Sequence, residues 1–270
     1  EVIVTDDSPD AAVEAVVRDF QTSGNSVAFQ RNQPALGSPG NWNRAMSLAR
    51  GKYVQILHHD DWYGHGRSLE ALVLALESHP EASMAFGSST EIDQHGRPRS
   101  TNRPSGEQVA KLNSDPSVIV WGNCIGAPSV VLFRRVPELQ FDETLIWQVD
   151  VEYYLRYLRY TRGNALYVPA AEINISVAPG RVTDLCTQDQ DLILAETVHL
   201  FELAGVSTHS SRLRGYFREF PFAGVSSLRI PFRHSRYGWA ALVGYSGGIL
   251  GRSWKNLKSQ VKKLLRRGQR

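Results

Sequence analysis

The sequence predicts an α/β fold with a mainly parallel sheet and helices on both faces. Three observations predict it. Short apolar runs of strand type alternate with segments of helical period along the first half of the chain. Two acidic pairs, Asp6-Asp7 and Asp60-Asp61, each follow such a run, where sheets of this kind bind ligands. The apolar fraction, 42% of 270 residues, is enough for a sizeable core.

Val2-Ile3-Val4 reads as a buried strand that ends at Thr5-Asp6-Asp7-Ser8. Ser8-Pro9 predicts a helix start, a capping hydroxyl followed by proline, and Val13, Val16, Val17 and Phe20 then keep helical spacing. Ser26 to Phe29 reads as a second strand, and Gln33 to Gly40 as a turn-rich loop. A helix is expected from about Asn41 to Arg50. Gly51 to Ile56 is the strand that delivers Leu57-His58-His59-Asp60-Asp61-Trp62. Leu69, Leu72, Val73 and Leu76 form the apolar face of the next helix, and Ala82 to Phe86 another strand. The polar stretch from His95 to Pro116 reads as a mobile loop that either orders as a lid or simply connects. Helices are expected around Asp150 to Tyr160 and Leu192 to Leu203.

Charge is divided unevenly. Arg212 to Arg270 holds fourteen Lys/Arg against one acid, Glu219, a net of +13, whereas residues 1–211 carry a net of −10. The basic end therefore predicts an anionic partner, the plain alternative being a basic helix packed on the acidic body. Near the terminus Leu257, Val261, Leu264 and Leu265 make an apolar stripe among Lys and Arg, which fits a helix lying on an anionic membrane surface. Nucleic acid is the rival reading of the same charge and is not the expected partner. Two cysteines exclude a disulfide framework and a Cys-rich zinc site, which favours a reducing, cytoplasmic setting, peripheral to the inner membrane face if the stripe docks there. No apolar run reaches the roughly 20 residues of a membrane span.

Two adjacent carboxylates at the end of a buried strand are costly without a cation between them. Asp60 and Asp61, with His58 as a further ligand, suit a hard divalent ion, Mn²⁺ or Mg²⁺, carrying a phosphate; the plain alternative is a pair capping a turn. Asp6-Asp7 can accept hydrogen bonds from a nucleobase or ribose, or form an Asx turn. Asp150, within Gln148-Val149-Asp150-Val151-Glu152, can act as a general base or serve only as a first-turn acid. No His-Glu-x-x-His occurs, which counts against a zinc protease.

Taken together, "EVIVTDDSPD", "NQPALGSPGNWNRAMSLARGKYVQILHHDDWY", "GNCIGAPSVVLFRR" and "FDETLIWQVDVEYYLRYL" resemble family 2 glycosyltransferases of the GT-A fold over about Glu1 to Thr183. The resemblance implies a GT-A-like mixed sheet, a nucleotide-sugar donor, a saccharide or lipid-linked acceptor, and a role in cell-surface polysaccharide or glycolipid synthesis. It implies nucleoside contact by Asp6 and Asp7, a donor side lined by Asn43 and Arg44, diphosphate and metal at Asp60, and Asp150 as the base. His58 stands where the family's first motif Asp is usual, and Val149 where an acid usually precedes the base. The resemblance also implies a first strand upstream of Glu1, so about 30 to 40 preceding residues are expected, a βα unit. The expected organisation is a catalytic domain over 1–205 and a basic helical extension over 206–270. Two alternatives stay open: a non-catalytic nucleotide-sugar-binding module, and a nucleotidyltransferase, against which the lack of a Gly-rich basic phosphate loop counts.

Overall fold

The computed structural model describes residues 1–177, 186, 188–221, 230–231 and 236–247. The chain forms two compact units, Glu1–Asp184 and Leu185–Arg270. The division falls some twenty residues before the expected boundary between 205 and 206, and the helix over Gln190–Ala204 lies in the second unit. The stripe from Leu257 to Leu265 lies outside the described residues.

In the first unit β1 (Ile3–Asp6) pairs in parallel with β2 (Ala28–Arg31), with α1 (Ala12–Thr22) between them in sequence. The predicted helix is present but starts later than Ser8-Pro9, at Ala12, whose N–H donates to Asp10 Oδ1. Ser8 does not cap it: the N-cap position is Ala11, and Ser8 N–H donates to Asp6 Oδ1 in an Asx turn. Of the four apolar residues at helical spacing only Val17 is buried, and Val16 is 70% exposed. A two-stranded sheet covers too little of the helix to bury the rest. Among the described residues β1 has no strand on its other edge.

α2 (Gly37–Leu48) begins four residues before the expected Asn41 and takes in part of the predicted loop, Pro39 falling in its first turn, where no backbone N–H is needed. It leads into β3 (Tyr53–Gln55), and the acidic motif occupies the turn between β3 and β4 (Asp61–Tyr63). α3 (Ser68–Ser78) buries Leu72 and Leu76 completely against β5 (Ala82–Ile92) and β8 (Asn164–Ser176). The first nine residues of β5 are all buried. β5 lies between β7 (Val131–Arg134) and β8 in a six-stranded sheet of order β3-β7-β5-β8-β4, with β6 (Pro98–Asn102) also on β5. β5–β8 is parallel, and the other pairs of this sheet are antiparallel. The sheet is thus mixed, with more antiparallel pairing than strand–helix alternation suggests, since β4, β6 and β7 are short returning strands.

The stretch from His95 to Pro116, expected as a mobile loop, is ordered secondary structure. β5 and β6 form a hairpin turning at Asp93, whose Oδ1 accepts from His95 N and Arg97 N, and Gly96, in the left-handed region with φ 74°. α4 (Gly106–Ser114) follows, started by a capping box between Ser105 and Gln108. The composition misled because β6 is a polar edge strand.

Short 3-10 turns over Pro116–Trp121 and Pro128–Val130 lead into β7. α5 (Val149–Thr161) packs Tyr153, Tyr154 and Tyr157 around Phe133, and the Tyr157 hydroxyl donates to the carbonyls of Ser83 and Arg134 at 2.7 and 2.8 Å. Where β5 meets β8 at a register shift, a Cβ on Gly87 would stand 2.6 Å from the Ala171 carbonyl oxygen. Backbone cannot yield there as a flexible side chain can. Gly87→Ala is therefore expected to cost about 1–3 kcal/mol, read as a lower urea midpoint at unchanged m-value.

In the second unit α6 (Gln190–Ala204) is capped by Asp189, which accepts from Leu192 N, and ends at Gly205 in the left-handed region. It buries Leu194, Val198 and Phe201. α7 (Ser211–Glu219), capped by Ser210, adds Leu213 and Phe217. The buried Tyr237 hydroxyl donates to the carbonyls of Phe201 and Val206.

Candidate active site

The turn between β3 and β4 brings His58, Asp60 and Asp61 together, with one ligand atom from each within 4.8 Å of the others. The three side chains are in different environments. Asp61 is buried, and its Oδ2 accepts a 2.5 Å bond from Ser129 Oγ. Burial pushes its carboxyl up, and the Ser129 hydroxyl and His58 oppose that shift. His58 stacks on Trp42 with ring centroids 5.0 Å apart, and its Nδ1 lies 3.6 Å from Asp61 Oδ2. Burial pushes the imidazole down, against the pull of Asp61 and Asp60. Its Nε2 is buried and has no hydrogen-bond partner. Asp60 is partly exposed, and its nearest ion-pair partner is His59 at 3.9 Å. An imidazole whose Nδ1 faces Asp61, grouped with two carboxylates, fits a divalent cation, and this mixed donor set suits Mn²⁺ better than Mg²⁺, which keeps to oxygen and water.

Ser129 is fully buried and organises the turn from outside it. Its hydroxyl accepts from His58 N at 3.0 Å while donating to Asp61, and its carbonyl accepts from Gln55 Nε2 at 2.6 Å. Gln55 in turn accepts from the Tyr63 hydroxyl. The side chains of β3, β4 and the segment before β7 thus fix one loop.

Asp150 lies in the first turn of α5, as the sequence predicts. Its Oδ1 accepts from Val151 N at 2.8 Å and its Oδ2 from Asn123 Nδ2 at 2.8 Å. Burial pushes the carboxyl up to about 6, and the N–H donors, Val151 first, hold it from rising further. A carboxylate that titrates near neutrality suits proton abstraction.

A row of rings connects the two places. Trp42 stacks on His58 and meets Phe141 edge-on at 5.2 Å, and Phe141 stacks on Tyr153 of α5 at 4.0 Å. Asn43, expected on the donor side, is buried. Its Oδ1 accepts from Phe141 N, and its Nδ2 donates to Phe141 O and Glu143 Oε1. Arg44 donates to Gln30 Oε1 on β2 at 2.7 Å. At the end of β1, Asp7 accepts from Asn32 Nδ2 and Leu36 N, while the buried Asp6 keeps one oxygen, Oδ2, without a partner. Sequence reasoning assigned no role to Trp42, Asn123 or Ser129. Asn123 stands in a Gly-Asn-Cys-Ile-Gly turn, a composition that marks special backbone but not its distant partner.

Fold and site together define a mixed α/β class with carboxylates on loops at strand ends and at a helix start. The chain belongs to the family described as Glycosyl transferase family 2, whose model matches residues 1–138. It is 24% identical over 156 residues to an uncharacterized glycosyltransferase of Methanocaldococcus jannaschii, covering 57% of this chain and 52% of that protein. It is 30% identical over 188 residues to an uncharacterized protein of Mycobacterium tuberculosis, covering 63% of this chain and 55% of that one. The chain therefore spans about half the length of these curated relatives. Among solved structures, S. aureus TarS 1–349 in complex with UDP aligns with TM-score 0.57 at 16% identity, over 93% of this chain and 82% of that one. The mannosyltransferase PcManGT from Pyrobaculum calidifontis, in complex with GDP-Man and Mn²⁺, aligns with TM-score 0.56 at 15% identity, over 98% and 71%. These likenesses agree on the GT-A-type fold.

Proposed function

We propose that the protein transfers a sugar from a nucleoside-diphosphate sugar to an acceptor hydroxyl with inversion. The observation that carries this reading is Asp150, a carboxylate held at the start of α5 with its pKa raised to about 6. Asp150 takes the acceptor's proton as the acceptor oxygen bonds to the anomeric carbon. The bond from that carbon to the diphosphate oxygen breaks on the opposite face, and the nucleoside diphosphate leaves with the electron pair. Asp60, with His58 and the remaining Asp61 oxygen, would hold a divalent cation, which supplies neutralising charge for the diphosphate when bound. Asp6, through its unpartnered oxygen, and Asp7 take the nucleoside. Asn43 and Arg44 shape the donor side through the contacts they make with the loop before α5 and with β2. The fixed donors around Asp150 and the Ser129-braced turn place the groups before reaction, where positioning and electrostatics supply most of the acceleration.

The test is a panel of nucleotide-sugars scored by thermal shift with and without Mn²⁺, followed by transfer assays on the binders. Ligand binding to the native state raises its melting temperature. Because the base must be ionised, kcat/KM is expected to fall on acidification below about pH 6, tenfold per unit well below it, and to level off above it. A profile flat down to pH 4.5 would remove Asp150 from this role. The half-buried, ring-stacked His58 favours a second reading, a binding module without turnover. Donor binding with neither hydrolysis nor transfer across the panel would select it.

The basic C-terminal segment supports a peripheral place on an anionic membrane at the cytoplasmic face, next to a lipid-linked acceptor in cell-surface polysaccharide or glycolipid synthesis. No helix among the described residues is long and apolar enough to cross a membrane. Salt-sensitive co-sedimentation with phosphatidylserine vesicles tests the placement.

A further inference from the structure

The turn from Gly122 to Gly126 is built around one side chain. Asn123 Oδ1 accepts from Ile125 N and from Gly126 N, both at 3.0 Å. Its Nδ2 donates to Gly126 O at 3.2 Å and to Asp150 Oδ2 at 2.8 Å. Two backbone N–H groups aimed at Oδ1 leave the amide a single orientation, because a flip would set N–H against N–H. The NH₂ end is therefore fixed toward Asp150. Gly126, at φ 107°, gives the turn a backbone shape that few other residues adopt. Its carbonyl also accepts from the Tyr154 hydroxyl at 3.0 Å. Tyr154 stands one helical turn after Asp150 on α5, so turn and helix are fastened at two successive points.

We propose that Asn123 is a positioning residue for the transfer reaction: its locked amide holds Asp150 Oδ2 and so sets the plane in which the carboxylate meets the acceptor hydroxyl. The proposal rests on the reading of Asp150 as the base. An amide N–H can donate to a carboxylate but cannot take a proton from a carboxylic acid, so the contact favours the ionised form. It thereby opposes the burial that raises Asp150. Glu152 in the same helical turn is paired with Arg156, and Tyr154 and Cys124 are neutral at working pH. Burial pushes the Tyr154 phenol on α5 well above its ordinary value and the Cys124 thiol of the turn upward. Asn123 is the donor to this carboxylate from outside α5, and it comes from 27 residues away in sequence.

The experiment is Asn123→Asp, which keeps the shape and the oxygen that serves Ile125 and Gly126 but sets a carboxylate in place of the donor, so that the lost hydrogen bond and the like charge both push Asp150 up, paired with the neutral Asn123→Ser, which isolates the lost hydrogen bond. In the ligand-free protein the Asp150 carboxyl, followed by carbon-13 NMR against pH, is expected to titrate at least one unit higher, a tenfold gain in proton affinity. The acid limb of kcat/KM should move with it, turnover should recover at alkaline pH, and the KM for donor should stay near the parent value. Asn123→Ser, too short to span the gap, should shift both readouts in the same direction and serves if the first variant does not fold. An Asp150 titration unchanged in a folded variant overturns the proposal, as does a loss of kcat that is uniform across pH. A shifted titration accompanied by full turnover of Asp150→Asn would instead remove the base assignment and Asn123's role in the reaction with it, while confirming that Asn123 holds the carboxylate.

Discussion

Asp150→Asn is expected to lower kcat by about 10²–10⁴-fold, the usual contribution of a positioned general base, while donor affinity stays within about twofold. The variant replaces one oxygen by an amide and leaves the shape of the site intact. Donor affinity should be spared because the proposed diphosphate site is the β3–β4 turn, not α5. The stability of the same variant separates this prediction from simple unfolding. A carboxyl whose folded pKa is raised binds its proton more tightly in the native state. The stability it contributes is present below the unfolded pKa near 4 and is lost as pH rises through about 6. At pH 7 the parent thus bears a cost of no more than about 3 kcal/mol for holding the charge, less whatever solvent screening relieves. Asn bears no such charge, but its NH₂ must face either Val151 N or Asn123 Nδ2, so the relieved charge and the lost hydrogen bond offset and the variant should melt near the parent temperature. Near-parental kcat, or a substantially lower melting temperature, would count against the assignment.

Asp60→Asn is expected to reduce kcat/KM by about 10²–10³-fold, the scale of losing one electrostatic contact to a developing negative charge. The effect should be tied to the cation. The parent should lose activity with EDTA and regain it with Mn²⁺, and the variant should need a much higher Mn²⁺ concentration for half-maximal rate. Asp60 is suited to this test because its carboxylate is partly exposed and its nearest ion-pair partner is His59 at 3.9 Å, so its removal should leave the melting temperature unchanged. Asp61 is the contrasting case. Its buried Oδ2 receives the Ser129 hydroxyl, and its loss would disturb the turn itself. Activity of Asp60→Asn that matches the parent at limiting Mn²⁺ would remove the metal role from this residue.

The sequence displayed those features whose causes are local. Alternating apolar runs located β1, β3, β5, α3 and α5, and the acids stand where strand ends and helix starts place them. What stayed hidden depends on long-range contact. Ser129 meets Asp61 across 68 residues, Asn43 meets Phe141 across 98, and nothing near any of these residues names its partner. Helical spacing in α1 was legible, but the burial of Val16 and Phe20 was not, since burial depends on how much sheet lies beneath the helix. The hairpin and helix between His95 and Pro116 had local signals, a Gly-bearing turn and the Ser105–Gln108 pair, outweighed by polar composition.

The row of rings from His58 through Trp42 and Phe141 to Tyr153 ties the β3–β4 turn to α5, so the proposed leaving-group end and the proposed proton-accepting end share one packed support. A substitution at Trp42 is therefore expected to disturb both ends, read as changes in the KM of donor and of acceptor together.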